Sequence, residues 1–216
     1  MEKWVYGFGG GDAEGSGEQG TLLGGKGAGL AEMSLLGIPV PPGLTVTTEA
    51  CKRYLRSGQT FPDGLQEQVR SHVAELETQL GQEFGSDRQP LLVSVRSGAP
   101  ISMPGMMDTV LNLGLNDAVI AAHPEGSEAV FYRDCYRRLL AMYGDVVLGV
   151  PVGLIDGVLA SARRRHGVDR ELDLSIGAYD ELIAELKGVL ADQGVAVPLS
   201  CPPVTDWLTP LASVLA

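Results

Sequence analysis

The stretch GSGEQGTLLGGKGAGLAEM, Gly15 to Met33, decides the fold, because it satisfies two phosphate-binding signatures that belong to different architectures. Gly15, Gly17 and Gly20 fit G-x-G-x-x-G, while Gly20, Gly25 and Lys26 fit G-x-x-x-x-G-K. A P-loop needs a Ser or Thr after its lysine to hold magnesium, and a buried strand ahead of it. Here Gly27 follows Lys26, and the polar run AEGSGEQG precedes it. A dinucleotide fingerprint must follow a strand and open a helix. The first three glycines do neither, and Glu14 and Glu18 beside them would repel a pyrophosphate. Both signatures fail. What remains is Lys26 on glycine-flanked backbone at the start of a helical pattern, where free N–H groups and the helix dipole favour an anion. Local chemistry leaves two readings open: a phosphate site, or a helix N-terminus with an exposed lysine.

Outward from that stretch, Lys3 to Phe8 alternates like a short strand, and Gly9 to Gly20 reads as a loop. From Gly25 a helical stripe of Leu30, Met33 and Leu35 or Leu36 runs to Gly37, a C-terminal cap with Pro39 beyond. A strand is expected at Leu44–Thr47, with Thr48 capping the next helix. Leu65, Val69, Val73, Leu76 and Leu80 make an amphipathic helix. His72 on its flank reads as a structural histidine, because no ligand partner stands at i±4. Leu91–Ser97 reads as a buried strand and TVLNLGL, from Thr109, as another. Helical patterns follow through Cys135, Leu139, Met142 and Val146, then Leu154–Val158, then Ile176 to Leu190. The expected class is α+β, with a mixed sheet in a strand-dominated first half and helices in the second.

Sixteen Lys and Arg stand against 27 Asp and Glu, a net charge of −11, which excludes a nucleic-acid groove built on clustered cations. The densest basic run, Arg163–Arg165, reads as a solvated helix end. Cys51, Cys135 and Cys201 show no C-x-x-C spacing, so neither a metal site nor a disulfide framework is expected. No signal pattern opens the chain and no apolar run approaches the ~18 residues of a membrane span. A cytoplasmic protein that binds no membrane is the expectation.

A second cluster is VRSGAPISMPGMMDT, Val95 to Thr109. A strand ending in Arg96 delivers a permanently charged fork, Gly98 and Gly105 let backbone approach a ligand, and Met103, Met106 and Met107 could wall a flat base. The alternative is a core loop in which methionines fill gaps and Arg96 pairs with a carboxylate. Two cation-bearing clusters with permissive backbone favour a nucleotide.

The segments KWVYGF, LLGGKGAGLAEMSLLGIPVPPGLTVTTEAC, LLVSVRSGAPISMPGMMDTVLNLGLN and YRRLLAMYGDVVLGV resemble, in order and spacing, the N-terminal region of the pyruvate, phosphate dikinase family. The likeness runs from about Lys3 to Val150 and more loosely to about Val197. It implies an ATP-grasp type N-terminal half that works with ATP and magnesium. In that family the β-phosphoryl group passes to a histidine on a swivelling domain, and a distant barrel domain then phosphorylates pyruvate. Lys26 matches the family's phosphate-contacting lysine, and Arg96 the first arginine of its VRSGAR motif. Gly105, Met107 and Thr109 fall in the loop that approaches the nucleotide. The resemblance further implies a β-rich nucleotide-binding subdomain over residues 1–115, a helical subdomain over 116–197 and a divergent Pro-rich tail over 198–216.

Two departures matter. Pro100 stands where the family has a second arginine, removing one charge. The tail PLSCPPVTDWLTPLASVLA does not continue the family pattern, and His72, His123 and His166 lack the context of its phosphohistidine motif. No catalytic residue is therefore expected in the chain. The magnesium ligands, the phosphohistidine domain and the pyruvate-binding domain would lie elsewhere in the parent enzyme, and the chain alone would not turn over. A fragment like phosphoenolpyruvate synthase, which uses water in place of phosphate, is the nearest alternative, although the MPGMMDT form favours the dikinase. A degenerate non-catalytic binding module is the other.

Overall fold

The computed structural model describes residues 2–96 and 109–192, and the chain divides into two compact units. The described part of the first unit is residues 2–81 with Arg96, and that of the second is residues 82–95 and 109–192.

In the first unit, strand β1 (Val5–Gly9) lies between β2 (Asp12–Ala13) and β3 (Gly43–Val46). The β1–β2 turn uses Gly9, Gly10 and Gly11 at φ of 109°, 66° and 88°, a run that only glycines adopt without strain. Register pairs Phe8 with Ala13 on one side, and Val5 with Val46 through Phe8 with Gly43 on the other. The expected mixed sheet is corrected here, since β1 is antiparallel to both neighbours. The glycine hairpin reverses the chain, and α1 (Gly20–Leu35) then crosses over β1, so that β3 arrives parallel to β2 with β1 between them. Strands do not dominate either: α1, α2 (Thr48–Arg56) and α3 (Leu65–Leu80) take up more of the first half than β1 to β5 do.

The core of this unit forms where the valines of α3, Val69 and Val73, meet Trp4 and Val5, all four buried. Gln68 ties α3 to the sheet: its Oε1 accepts from the N–H groups of Trp4 (2.7 Å) and Val5 (3.2 Å). Both ring nitrogens of His72 face acceptors, the Gln68 carbonyl at 2.8 Å and the Glu14 carboxylate at 2.9 Å. Burial alone would push the Glu14 carboxyl up, but hydrogen bonds from the Gly7 N–H, Lys3 and His72 outweigh it and hold its pKa at about 2. His72 is thus the structural histidine expected, with a partner 58 residues away.

Helix α1 closes on a Schellman motif, with Gly37 at φ 72° donating to the Ser34 carbonyl and Ile38 donating to that of Met33. Gly37 is therefore the stop signal expected. The buried face is not the expected one. Met33, Leu35 and Leu36 are 37%, 51% and 69% exposed, whereas Leu23, Gly24, Gly27, Ala28, Ala31 and Ser34 are buried. The reason is distance: a Cβ on Gly27 would lie 2.6 Å from Cγ2 of Thr45 on β3, so the helix approaches the sheet closely enough to admit only small residues.

The second unit holds β4 (Val93–Arg96) up to Val95, paired with β5 (Thr109–Leu113), together with α4 (Asp117–Ala122), α5 (Gly126–Met142), α6 (Val152–His166) and α7 (Ile176–Asp192). Helix α5 runs on into one π-helical turn, Tyr143–Val147. Tyr136 and Leu140 of α5 and Tyr179, Leu182 and Leu186 of α7 are almost fully buried against one another's helices. Asn116 caps α4 through a 3.0 Å bond from the Val119 N–H. Asp134 accepts from Arg137 (2.7 Å), Arg138 (2.6 Å) and the Tyr179 hydroxyl (3.3 Å), a buried polar knot that binds α5 to α7. Arg163–Arg165 does occupy the last turn of α6, where Arg163 pairs with Glu171, and Arg165 with Glu181 and Glu185. Among the described residues no helix is long and apolar enough to cross a membrane.

Candidate functional site

Helix α1 is broken at its fifth residue. Gly24 has φ 71° and ψ 165°, a backbone state that belongs almost wholly to glycine. Each α-helical hydrogen bond closes a ring through the three residues between donor and acceptor. A non-helical Gly24 therefore disturbs the three bonds that span it, those that would run from the N–H groups of Gly25, Lys26 and Gly27 to the carbonyls of Thr21, Leu22 and Leu23. The break sets the N-terminal end of a second helical segment, residues 25–35, inside α1, with the positive end of its dipole at Gly25 to Gly27.

The surroundings keep this turn in place and open. Gly25 is exposed, and a Cβ there would meet nothing within 4 Å. Gly27 is packed on Thr45. Lys26, between them, is half-buried and has no hydrogen-bond or ion-pair partner among the described residues. Ahead of the turn, two of the three fingerprint glycines, Gly15 and Gly17, lie close against side chains of α1, while a Cβ on Gly20 would meet nothing within 4 Å. A Cβ on Gly15 would lie 2.5 Å from Leu23 Cδ1, and one on Gly17 would lie 2.7 Å from Glu32 Oε2. Strand β2 is a two-residue edge strand, not the buried strand of a P-loop.

Two details on the flanks escaped the sequence reading. Ser16 and Gln19 form a capping-box pair in which Gln19 Oε1 accepts from the Ser16 N–H at 2.9 Å; the S-x-x-Q spacing carried that signal. The cap of α2 is Thr47 and not Thr48: Thr47 Oγ1 accepts from the Ala50 N–H at 3.2 Å. Of two adjacent threonines the first has the extended backbone that a cap requires. That leaves the Thr48 hydroxyl free to donate to the Thr21 carbonyl at 2.7 Å, one of the three carbonyls whose helical bonds would span Gly24.

The other expected residues are distributed as follows. Arg96 ends β4, is exposed, and has no carboxylate partner among the described residues. Thr109 opens β5 and is half-buried. Since β4 and β5 are hydrogen-bonded neighbours, Arg96 and Thr109 flank the segment between those strands. Gly105 and Met107, with Pro100, lie outside the described residues. The three histidines are all engaged in the fold, His123 with the Val119 carbonyl at 2.9 Å and His166 with Glu181 at 3.2 Å. Among the described residues no group of three or more His, Cys, Asp or Glu could hold a metal ion.

Comparison with known proteins bears on this arrangement. A family model described as "Pyruvate phosphate dikinase, AMP/ATP-binding domain" matches residues 20–70 and 57–165. A pyruvate, phosphate dikinase of Rhizobium meliloti (strain 1021) is 51% identical, over 92% of this chain and 23% of its own length. The chloroplastic pyruvate, phosphate dikinase of Flaveria trinervia is 46% identical over 88% of the chain and 20% of its own length. The pyruvate, phosphate dikinase of Clostridium symbiosum is also 46% identical, over 88% of the chain and 21% of its own length. The chain thus spans about a fifth of the length of the curated relatives it matches.

Proposed function

Since the chain belongs to the pyruvate phosphate dikinase AMP/ATP-binding domain family, we propose that the broken turn of α1 holds the phosphates of ATP. The observation that carries this is a half-buried Lys26 with no partner among the described residues, two positions after the non-helical Gly24. Phosphate oxygens accept hydrogen bonds and carry the charge that such donors and an ammonium group stabilise. By their match to the family's motif, Arg96 is assigned as a second cation for the polyphosphate, and Gly105, Met107 and Thr109 as further ATP-binding residues. In this reading residues 1–115 are the nucleotide-binding part and residues 116–197 a helical support, within an ATP-grasp type half-domain.

The parent reaction we propose converts ATP, pyruvate and phosphate to AMP, phosphoenolpyruvate and pyrophosphate. This chain's share is to bind and orient the polyphosphate; the transfer to histidine and pyruvate belongs to other domains, and the 216 residues alone do not turn over. The described residues offer no carboxylate cluster for magnesium, so no step is assigned to the metal here.

The test is a calorimetric titration of ATP into the whole chain and into Lys26→Ala. Removing a charged donor weakens ATP about 10- to 100-fold. Equal affinity in the two would refute the assignment. Pro100 favours a second reading, a degenerate module that has lost nucleotide binding, and ATP binding to neither protein would establish it.

A further inference from the structure

The break at Gly24 is braced from outside its own helix. The Thr21 carbonyl, at an exposed position beside the break, is the one an unbroken helix would pair with the Gly25 N–H. The Thr48 hydroxyl donates to it at 2.7 Å, reaching from the first turn of α2 to a residue 27 positions earlier. Thr48 can do so only because Thr47 takes the cap. A second threonine of the same strand-to-helix segment, Thr45, lies against Gly27 on the far side of Lys26. The turn that carries Lys26 is therefore held at both ends by one short stretch, Thr45 to Thr48.

We propose that Thr48 is a positioning residue for the phosphate-binding turn: by bonding the Thr21 carbonyl it stabilises the broken form of α1 over a continuous helix, and so keeps the Gly25, Lys26 and Gly27 donors free. Without that bond the carbonyl is better satisfied by the Gly25 N–H, which competes with a phosphate for the same donor. The inference rests on the proposed ATP site, and it adds a residue that has no contact with phosphate of its own.

The experiment compares the whole chain with Thr48→Val, which keeps the shape and removes the hydroxyl, and with Thr48→Ser, which keeps the hydroxyl. ATP affinity is read by calorimetry, and amide hydrogen exchange of Gly25, Lys26 and Gly27 is read without nucleotide. The expected result is about fivefold weaker ATP binding in Thr48→Val, the effect of one hydrogen bond. Gly25 exchange should slow as its N–H becomes bonded, and Thr48→Ser should restore both. A merely structural role would lower thermal stability and leave Gly25 exchange and its rescue by serine unmoved. ATP binding by Thr48→Val equal to that of wild type, with unchanged Gly25 exchange, overturns the positioning role while the ATP site stands. Wild-type chain that binds no ATP overturns both.

Discussion

Gly24→Ala should lose measurable ATP affinity and about 1–3 kcal/mol of stability, whereas Gly25→Ala, one residue away, should do neither. The difference lies in backbone geometry. Gly24 sits at φ 71°, ψ 165°, where a Cβ is strained, while Gly25 has ordinary backbone and open space around it. An alanine held in that backbone carries the strain as lost stability. Wherever it relieves the strain by turning helical, the N–H groups of Gly25, Lys26 and Gly27 are spent inside the helix, and Gly25 competes with Thr48 for the Thr21 carbonyl. Alanine at position 25 only removes backbone freedom from an exposed helix start. Urea denaturation followed by circular dichroism, with ATP calorimetry on the same preparations, checks both halves. ATP binding by Gly24→Ala at wild-type strength would contradict the role given to the break.

The second large effect concerns stability alone. Asp134→Ala should cost about 3–5 kcal/mol, the range for removing one partner of a buried ion pair. The Asp134 side chain is 8% exposed and that of Arg137 is 11%, so the truncation strands a guanidinium with little water to solvate it. The hydroxyl of fully buried Tyr179 also loses its acceptor. Burial and then the adjacent Asp134 charge push the Tyr179 phenol well above its ordinary range, so it stays a neutral donor throughout the usable pH range. By contrast, Lys52→Ala removes an exposed partner of Glu49 at 3.8 Å and should change stability by less than about 0.5 kcal/mol. Denaturation midpoints of the two variants measure the contrast, and a loss below about 1 kcal/mol in Asp134→Ala would contradict the buried-pair account.

Where the sequence speaks through backbone rules it was legible. Gly37 with Pro39 marks the end of α1, and the period of Leu65, Val69, Val73 and Leu76 marks the buried face of α3. The loop expected over Gly9 to Gly20 is corrected, since β2 precedes Gly15 and α1 opens at Gly20, so the first three glycines do follow a short strand and open a helix; the missing hydroxyl residue after Lys26 was readable from Gly27. The buried face of α1 was not, because hydrophobicity points to Met33 and Leu36 while the close approach of Gly27 to Thr45 selects for small residues, a tertiary fact. The same holds for Gly24. Two adjacent glycines before a lysine show that the backbone is permitted to break, and only the bracing from Thr45 and Thr48 decides that it does. The polar knot at Asp134 left a trace in its i+3 and i+4 arginines, but the third partner, Tyr179, comes from a helix 45 residues on. Arg96 and Thr109 were placed correctly at strand ends, since a β-rich run bounded by Pro90 and Gly98 leaves little freedom.

The central claim is that ATP phosphates meet the backbone donors that follow the break at Gly24. The most direct measurement is a titration of ATP into the uniformly ¹⁵N-labelled whole chain, followed residue by residue in amide proton–nitrogen spectra. The account predicts that the amides of Gly25, Lys26 and Gly27 move among the furthest in the chain, along one saturation curve that matches calorimetry. Saturable ATP binding that leaves those three amides where they were would contradict it.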